Sequence, residues 1–141
     1  MLNLREYLNR IKDCEYAIAK FDSPYVPENF PDEYPIGKDL DILVSERDFG
    51  KINQITEEFL NGCLIKKFPE RVYYRIEING KLHFQIDISI VDLKILENKI
   101  TKNIFYILSL ENEYIIRKEE LRKFPHKVWH QKWISEHLLS Q

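Results

Sequence analysis

Gly37-Lys38-Asp39-Leu40-Asp41-Ile42-Leu43-Val44-Ser45 decides how the rest of this chain reads. Asp39 and Asp41 stand at i and i+2 in an otherwise apolar run. As a strand, the run projects both carboxylates from one face, about 6.5–7 Å apart along the backbone, and turns Leu40, Ile42 and Val44 to the other. Ser45 suits a helix N-cap, with Glu46 in the first turn and Asp48 in the capping-box position. Phe49, Ile52, Ile55, Phe59 and Leu60 then recur at helical spacing as far as Gly62, which suits the C′ position. A buried strand bearing two acids therefore feeds straight into a helix.

Downstream, Val72, Tyr74 and Ile76 alternate with Arg71, Tyr73, Arg75 and Glu77. After Asn79-Gly80, Leu82, Phe84, Ile86, Ile88 and Ile90 alternate with His83, Gln85, Asp87 and Ser89. This is a hairpin with a third acid, Asp87, on its polar face. A two-residue Asn-Gly turn in uniform register sets Ile76 opposite His83. A three-residue loop over 78–80 with a G1 bulge instead pairs Ile76 with Leu82, Tyr74 with Phe84, Arg75 with His83 and Arg71 with Asp87, and is expected on that ground.

Upstream, Leu4, Tyr7, Leu8 and Ile11 mark a short amphipathic helix, and residues 15–21 a first strand. Residues 22–37 hold Pro24, Pro27, Pro31 and Pro35, too many for a helix or an inner strand. Residues 91–100 read as a short helix or turn, 103–108 as a last strand, 109–124 as a helix capped by Ser109, and about 127–139 as a final helix. Residues 1–50 carry 11 acids and 6 bases, whereas 114–141 carry 3 acids and 6 bases. The C-terminal helices are accordingly expected to set a basic wall against an acidic site.

The 141 residues suit a single domain spanning 1–141, with a core over about 14–108 and C-terminal helices over about 109–139. A hydrophobic content of 44% supplies one real core and excludes a disordered chain. The net charge of −2 gives no strong nucleic-acid signal. Four glycines form neither GxGxxG nor a P-loop. Cys14 and Cys63 lack metal-ligand spacing, the opening residues read as a helix rather than a secretion signal, and the longest apolar runs are far below a membrane span. A cytoplasmic location without membrane association is expected.

Three carboxylates brought to one end of a sheet cannot all stay ionised in a half-buried place without a cation. Mg²⁺ suits them, because it prefers a few carboxylates together with phosphate oxygens. Two such ions serve an in-line phosphoryl or nucleotidyl displacement.

At this point a resemblance becomes specific. Gly37-Lys38-Asp39-Leu40-Asp41-Ile42-Leu43-Val44, followed by Phe84-Gln85-Ile86-Asp87-Ile88, resembles the nucleotidyltransferase fold of the DNA polymerase beta superfamily over roughly residues 14–90, and the tail is similar to small stand-alone bacterial members. The resemblance implies an α/β (α+β) fold with a mixed sheet, flanking helices and a C-terminal helical extension. It implies Mg²⁺, with Mn²⁺ as an alternative, held as two ions by Asp39, Asp41 and Asp87, with Asp87 also activating an acceptor hydroxyl. The substrates implied are an NTP and a small-molecule or glycan acceptor. That superfamily binds the triphosphate on a Gly-Ser or Gly-Gly turn after the first strand. Here the turn is Phe21-Asp22-Ser23, so Ser23 stands as its remnant, with Lys20 or Lys38 supplying charge.

Arg71 and Arg75, on the hairpin face that bears Asp87, are further candidates for phosphate or acceptor contacts, since a guanidinium fork fits phosphate. His126, His130 and His137 fall near one helical face, but flanking Trp129 and Trp133 favour an ordinary packed helix over a zinc site. Two rival readings stay open: a catalytically inactive binding or regulatory module of the same fold, and a metal-dependent nuclease. The nuclease wants a lysine two residues after the second acid, where Asp87 is followed by Ser89.

Overall fold

The computed structural model describes residues 2–138. Among them are five helices and seven strands: α1 (Arg5–Arg10), β1 (Tyr16–Ala19), β2 (Lys38–Val44), α2 (Glu46–Phe59), β3 (Leu64–Phe68), β4 (Arg71–Ile78), β5 (Lys81–Ile90), α3 (Leu93–Leu96), β6 (Ile100–Lys102), β7 (Phe105–Ile107), α4 (Leu110–Lys123) and α5 (Val128–Leu138). The strands form one mixed sheet in the order β3-β4-β5-β2-β1-β7-β6. β2 runs parallel to β5 and antiparallel to β1, while β1 runs parallel to β7. The protein is of the mixed α/β class. No helix among the described residues is long and apolar enough to cross a membrane.

The central strands are buried on both faces. Tyr16 and Ile18 of β1 join Ile42, Ile52, Ile86 and Ile88 in the larger core, against which α1 packs Tyr7 and Leu8 and its C-cap residue Ile11. Ala17 and Ala19, the alternate residues of β1, face the other way with Leu43, Leu96, Leu108 and the partly buried Ile116 of α4. Small side chains on that face let the C-terminal layer approach closely. Helices therefore cover both sides of the sheet. Ser45 caps α2 by accepting the Asp48 backbone N–H, as its position predicts. The Asp48 carboxylate, however, accepts the Glu15 backbone N–H at 2.7 Å instead of closing a capping box. Gly62, with φ +82°, lies two residues beyond the C-cap Leu60 rather than at C′.

The hairpin departs from expectation. Asn79 and Gly80, both at positive φ, make a two-residue turn that pairs Ile78 with Lys81. The register then shifts between Ile76 and Glu77: Glu77 pairs with Leu82 but Ile76 with Phe84. Bulging past His83 restores apolar against apolar, which a uniform two-residue turn could not. Arg71 thus lies opposite Ser89, and Arg75 opposite Gln85. The offset from the expected pairing is two residues, so every side chain keeps its face. Two edge strands, β3 and β6, are exposed throughout and carry no periodic burial signal in the sequence.

The proline-rich stretch is packed rather than loose. Phe30 and Tyr34 enter the core, the Leu2 and Leu4 amides donate to the Tyr34 and Pro31 carbonyls, and the Tyr34 hydroxyl donates to the Asp39 carbonyl at 2.6 Å.

Candidate functional site

Parallel pairing of β2 with β5 sets Asp41 directly beside Asp87, with Asp39 opposite Gln85. The two-residue period puts all three carboxylates on the face covered by α4. Asp87 is buried, at 8% exposure. Each of the paired acids meets a cation from another element. Arg71 donates to Asp87 through two bonds, Nε to Oδ1 at 2.8 Å and Nη2 to Oδ2 at 2.5 Å. Lys20 Nζ lies 3.1 Å from Asp41 Oδ2.

Lys20 follows β1 in the left-handed region, φ +56°, a conformation costly for a side-chain-bearing residue. Its backbone N–H donates to Glu113 Oε1 at 2.6 Å, and its ammonium donates to Glu120 Oε2 at 2.9 Å. Ser23 Oγ closes the same turn by donating to the Lys20 carbonyl at 3.0 Å. The turn after β1 is thus tied to α4 through two glutamates.

Electrostatics follow from this crowding. Burial pushes the Asp41 carboxyl up; Lys20 pulls it down, Asp39 and Asp87 push it up again, and it comes to about 6. Burial alone would lower the Lys20 ammonium, but Asp41 and Glu120 outweigh it and hold it above the ordinary lysine range. Burial would raise Glu120, yet Lys20 and Lys127 bring it down to about 2. Burial raises the Glu113 carboxyl against the pull of Arg117, and lowers the His130 imidazole against the pull of Glu120.

Two adjoining cavities flank the acids. One, of about 450 Å³, runs from Asp39 and Asp41 to Ser23, Arg117, Lys127 and His130, with Tyr25 and Trp129 at its rim. The other, of about 300 Å³, is lined by Asp41, Asp87, Arg71 and Ser89. Lys20, Asp41, Glu120 and Lys127 line both. A larger hollow of about 610 Å³ lies at the far end of β2 and β5, around Ser45, Arg47, Glu70 and Asp92, away from the three aspartates.

Of the residues singled out from sequence, Asp39, Asp41, Asp87, Lys20, Ser23 and Arg71 are brought together here. Lys38 and Arg75 line neither cavity: the Lys38 ammonium sits 4.8 Å over the Tyr25 ring, and Arg75 pairs with Glu77 at 2.8 Å. Glu113, Arg117, Glu120, Lys127 and His130 join the site without having been singled out as its members. Glu113, Arg117 and Glu120 fall at i, i+4 and i+7 on α4, one helix face. Because α4 carries charges on all sides, that face gave no periodic signal. The wall opposite the acids is therefore mixed in charge rather than basic. His130 is buried against Glu120, and His137 stacks on Trp133, as a packed helix requires.

The oxygen-only donors Asp39, Asp41 and Asp87 suit a hard divalent cation. As placed, no three His, Cys, Asp or Glu side chains among the described residues converge as a metal site. Lys20 and Arg71 supply the compensating charge instead. No protein-family model matches the chain, and no curated protein is significantly similar to it.

Proposed function

We propose that this protein is a divalent-metal-dependent nucleotidyltransferase, moving a nucleoside monophosphate from an NTP to an acceptor hydroxyl. The single observation that carries the reading is the register of Asp41 beside Asp87 on adjacent parallel strands, with Asp39 on the same face. The fit of Mg²⁺ rests on the donor set, three carboxylates on one sheet face with Asp41 and Asp87 adjacent across β2 and β5.

Asp39 and Asp41 would hold the metal, with Asp87 as the third ligand once Lys20 and Arg71 swing aside. When bound, Mg²⁺ would neutralise phosphate oxygens and the charge that develops on the leaving pyrophosphate. Asp87 accepts the acceptor's hydroxyl proton as the hydroxyl oxygen attacks the α-phosphorus. The bond from that phosphorus to the oxygen bridging the β-phosphorus breaks, and pyrophosphate leaves. Lys20, Ser23 and Arg71 line the space on either side of the acids, where they would orient the triphosphate and the acceptor.

Calorimetric titration of Mg²⁺ with each of the four NTPs tests the reading. Wild type should give binding heat with at least one NTP, and Asp41→Asn should lose it; equal heats from both proteins overturn the proposal.

One observation favours a second reading, a binding module without turnover. Half-buried Asp41 and buried Asp87 already have internal cationic partners, and the turn after β1 has no glycine. NTP binding with no pyrophosphate release against a panel of sugar and small-molecule acceptors identifies that case.

A further inference from the structure

Two ammonium groups and an imidazole converge on one carboxylate beside the acidic cluster. Glu120 Oε2 accepts from Lys20 Nζ at 2.9 Å and lies 3.0 Å from His130 Nε2, while Oε1 accepts from Lys127 Nζ at 2.8 Å. The donors come from the turn after β1, the segment between α4 and α5, and α5 itself. Convergence of three elements on one point is a feature of the tertiary structure, not of helix α4.

Glu120 is out of proportion to its surroundings as a purely structural ion pair. Lys20, half-buried, is already paired with Asp41, so Glu120 is its second carboxylate. His130 is 1% exposed, and its Nδ1 is buried with no hydrogen-bond partner. Its ring packs against Trp129 and brings Nε2 to Glu120. Lys20 stands in a left-handed backbone conformation at the turn from which its ammonium reaches Glu120. A carboxylate oxygen and a phosphoryl oxygen present the same anionic acceptor to such donors at the same distances. Glu120 also stands in the wall common to the two cavities, within the space that opens from the acids toward Arg117 and Trp129.

We infer that Lys20, Lys127 and His130 form a polyphosphate-binding cradle, and that Glu120 fills it as an internal anion which the polyphosphate tail of a substrate displaces. The cradle would do by side chains what backbone amides of a glycine turn cannot do here, and it makes the C-terminal helices part of the substrate site. Its assignment to an NTP rests on the nucleotidyltransferase reading; its affinity for polyphosphate does not.

Inorganic tripolyphosphate, titrated without divalent metal, is the probe. Glu120→Gln keeps the shape of the side chain and removes the competing charge, and should bind tripolyphosphate about tenfold more tightly than wild type. Lys127→Met should bind it about tenfold more weakly than wild type, and adding Lys127→Met to Glu120→Gln should abolish the gain. Thermal melts of each variant establish folding, and Lys127→Met, at a partly exposed position, tests the cradle should Glu120→Gln fail to fold. The inference is overturned if folded Glu120→Gln binds no more tightly than wild type, or if Lys127→Met leaves the affinity unchanged. Tripolyphosphate binding that responds to Glu120 and Lys127, alongside equal Mg²⁺–NTP heats in wild type and Asp41→Asn, keeps the cradle and removes the transferase. Loss of those heats in Asp41→Asn with no response to Glu120 or Lys127 does the reverse.

Discussion

Asp41 and Asp87 are direct neighbours across the parallel β2–β5 pair, and each is met by a cation from a different element, Lys20 at 3.1 Å and Arg71 at 2.5 Å. Two like charges side by side on a covered sheet face raise the energy of the fold unless something offsets them. Long basic side chains do so here. They differ from packed apolar residues in being able to swing away without disturbing the sheet.

Arg71 is therefore expected to stabilise mainly by its partner. Asp87 is buried while the Arg71 side chain is 46% exposed, so truncation leaves a buried carboxylate without its two hydrogen bonds. Arg71→Ala should cost about 1–2 kcal/mol at pH 7. Adding Asp87→Asn should recover most of that loss. Urea unfolding of the two single variants and the double variant measures the coupling, and strictly additive losses would contradict it.

The pH dependence has a definite sign. Asp41 has its folded pKa raised to about 6 from 3.8, so the native state binds the extra proton between those values. Its contribution to stability falls as pH rises through that window, and the cost is complete above it. Glu120, lowered to about 2 from 4.5, acts oppositely: its contribution is present above 4.5 and is lost as pH falls toward 2. His130, lowered from 6.5 by burial, adds stability as pH rises past its titration. Comparison with Asp41→Asn isolates the first effect. The variant should gain on wild type progressively from pH 4 to pH 6, by about 1–3 kcal/mol, and then hold a constant margin. A margin independent of pH would show that Asp41 titrates normally.

Asp22 holds the C-terminal helices to the turn after β1. Its carboxylate accepts from Arg117 Nη2 at 2.9 Å and from the Trp133 indole N–H. Asp22→Ala should speed amide hydrogen exchange in α5 and the end of α4 at least about tenfold, with β2 and β5 unchanged, because the central sheet is stabilised independently. Uniform acceleration across sheet and helices would mean that α5 is not a separable layer.

Tyr7 links α1 to α2. Its hydroxyl lies 2.7 Å from Thr56 Oγ1, and neither residue is exposed. Tyr7→Phe should cost about 0.5–1.5 kcal/mol, the net worth of one buried hydrogen bond, since Thr56 keeps its bond to the Ile52 carbonyl. Thermal or urea unfolding measures it, and a loss above about 3 kcal/mol would point to repacking instead.

Much of this molecule was legible before its fold was known. Alternation fixed the faces of β2, β4 and β5, because a strand has a period of two and any error of register by two residues preserves it. That is why Arg71 shares a face with Asp87 although its true partner across the strand is Ser89. Ser45 and Ser109 marked helix starts by a local hydrogen bond that needs no distant residue. Residues 64–68 and 100–102 gave no such signal, since exposed edge strands need no apolar alternation.

Sequence by itself determined that Asp39, Asp41 and Asp87 would lie on the polar sides of two strands, because local periodicity dictates which way a side chain points. Only the tertiary structure decided that β2 and β5 are neighbours, that Asp41 stands level with Asp87, and that Glu120, Lys127 and His130 close over Lys20. Strand order and helix docking are set by how apolar faces bury one another across the whole chain. No short stretch of residues carries that information, and the charged side of α4 became part of a site only when Ile116, Leu108 and Ala19 met beneath it.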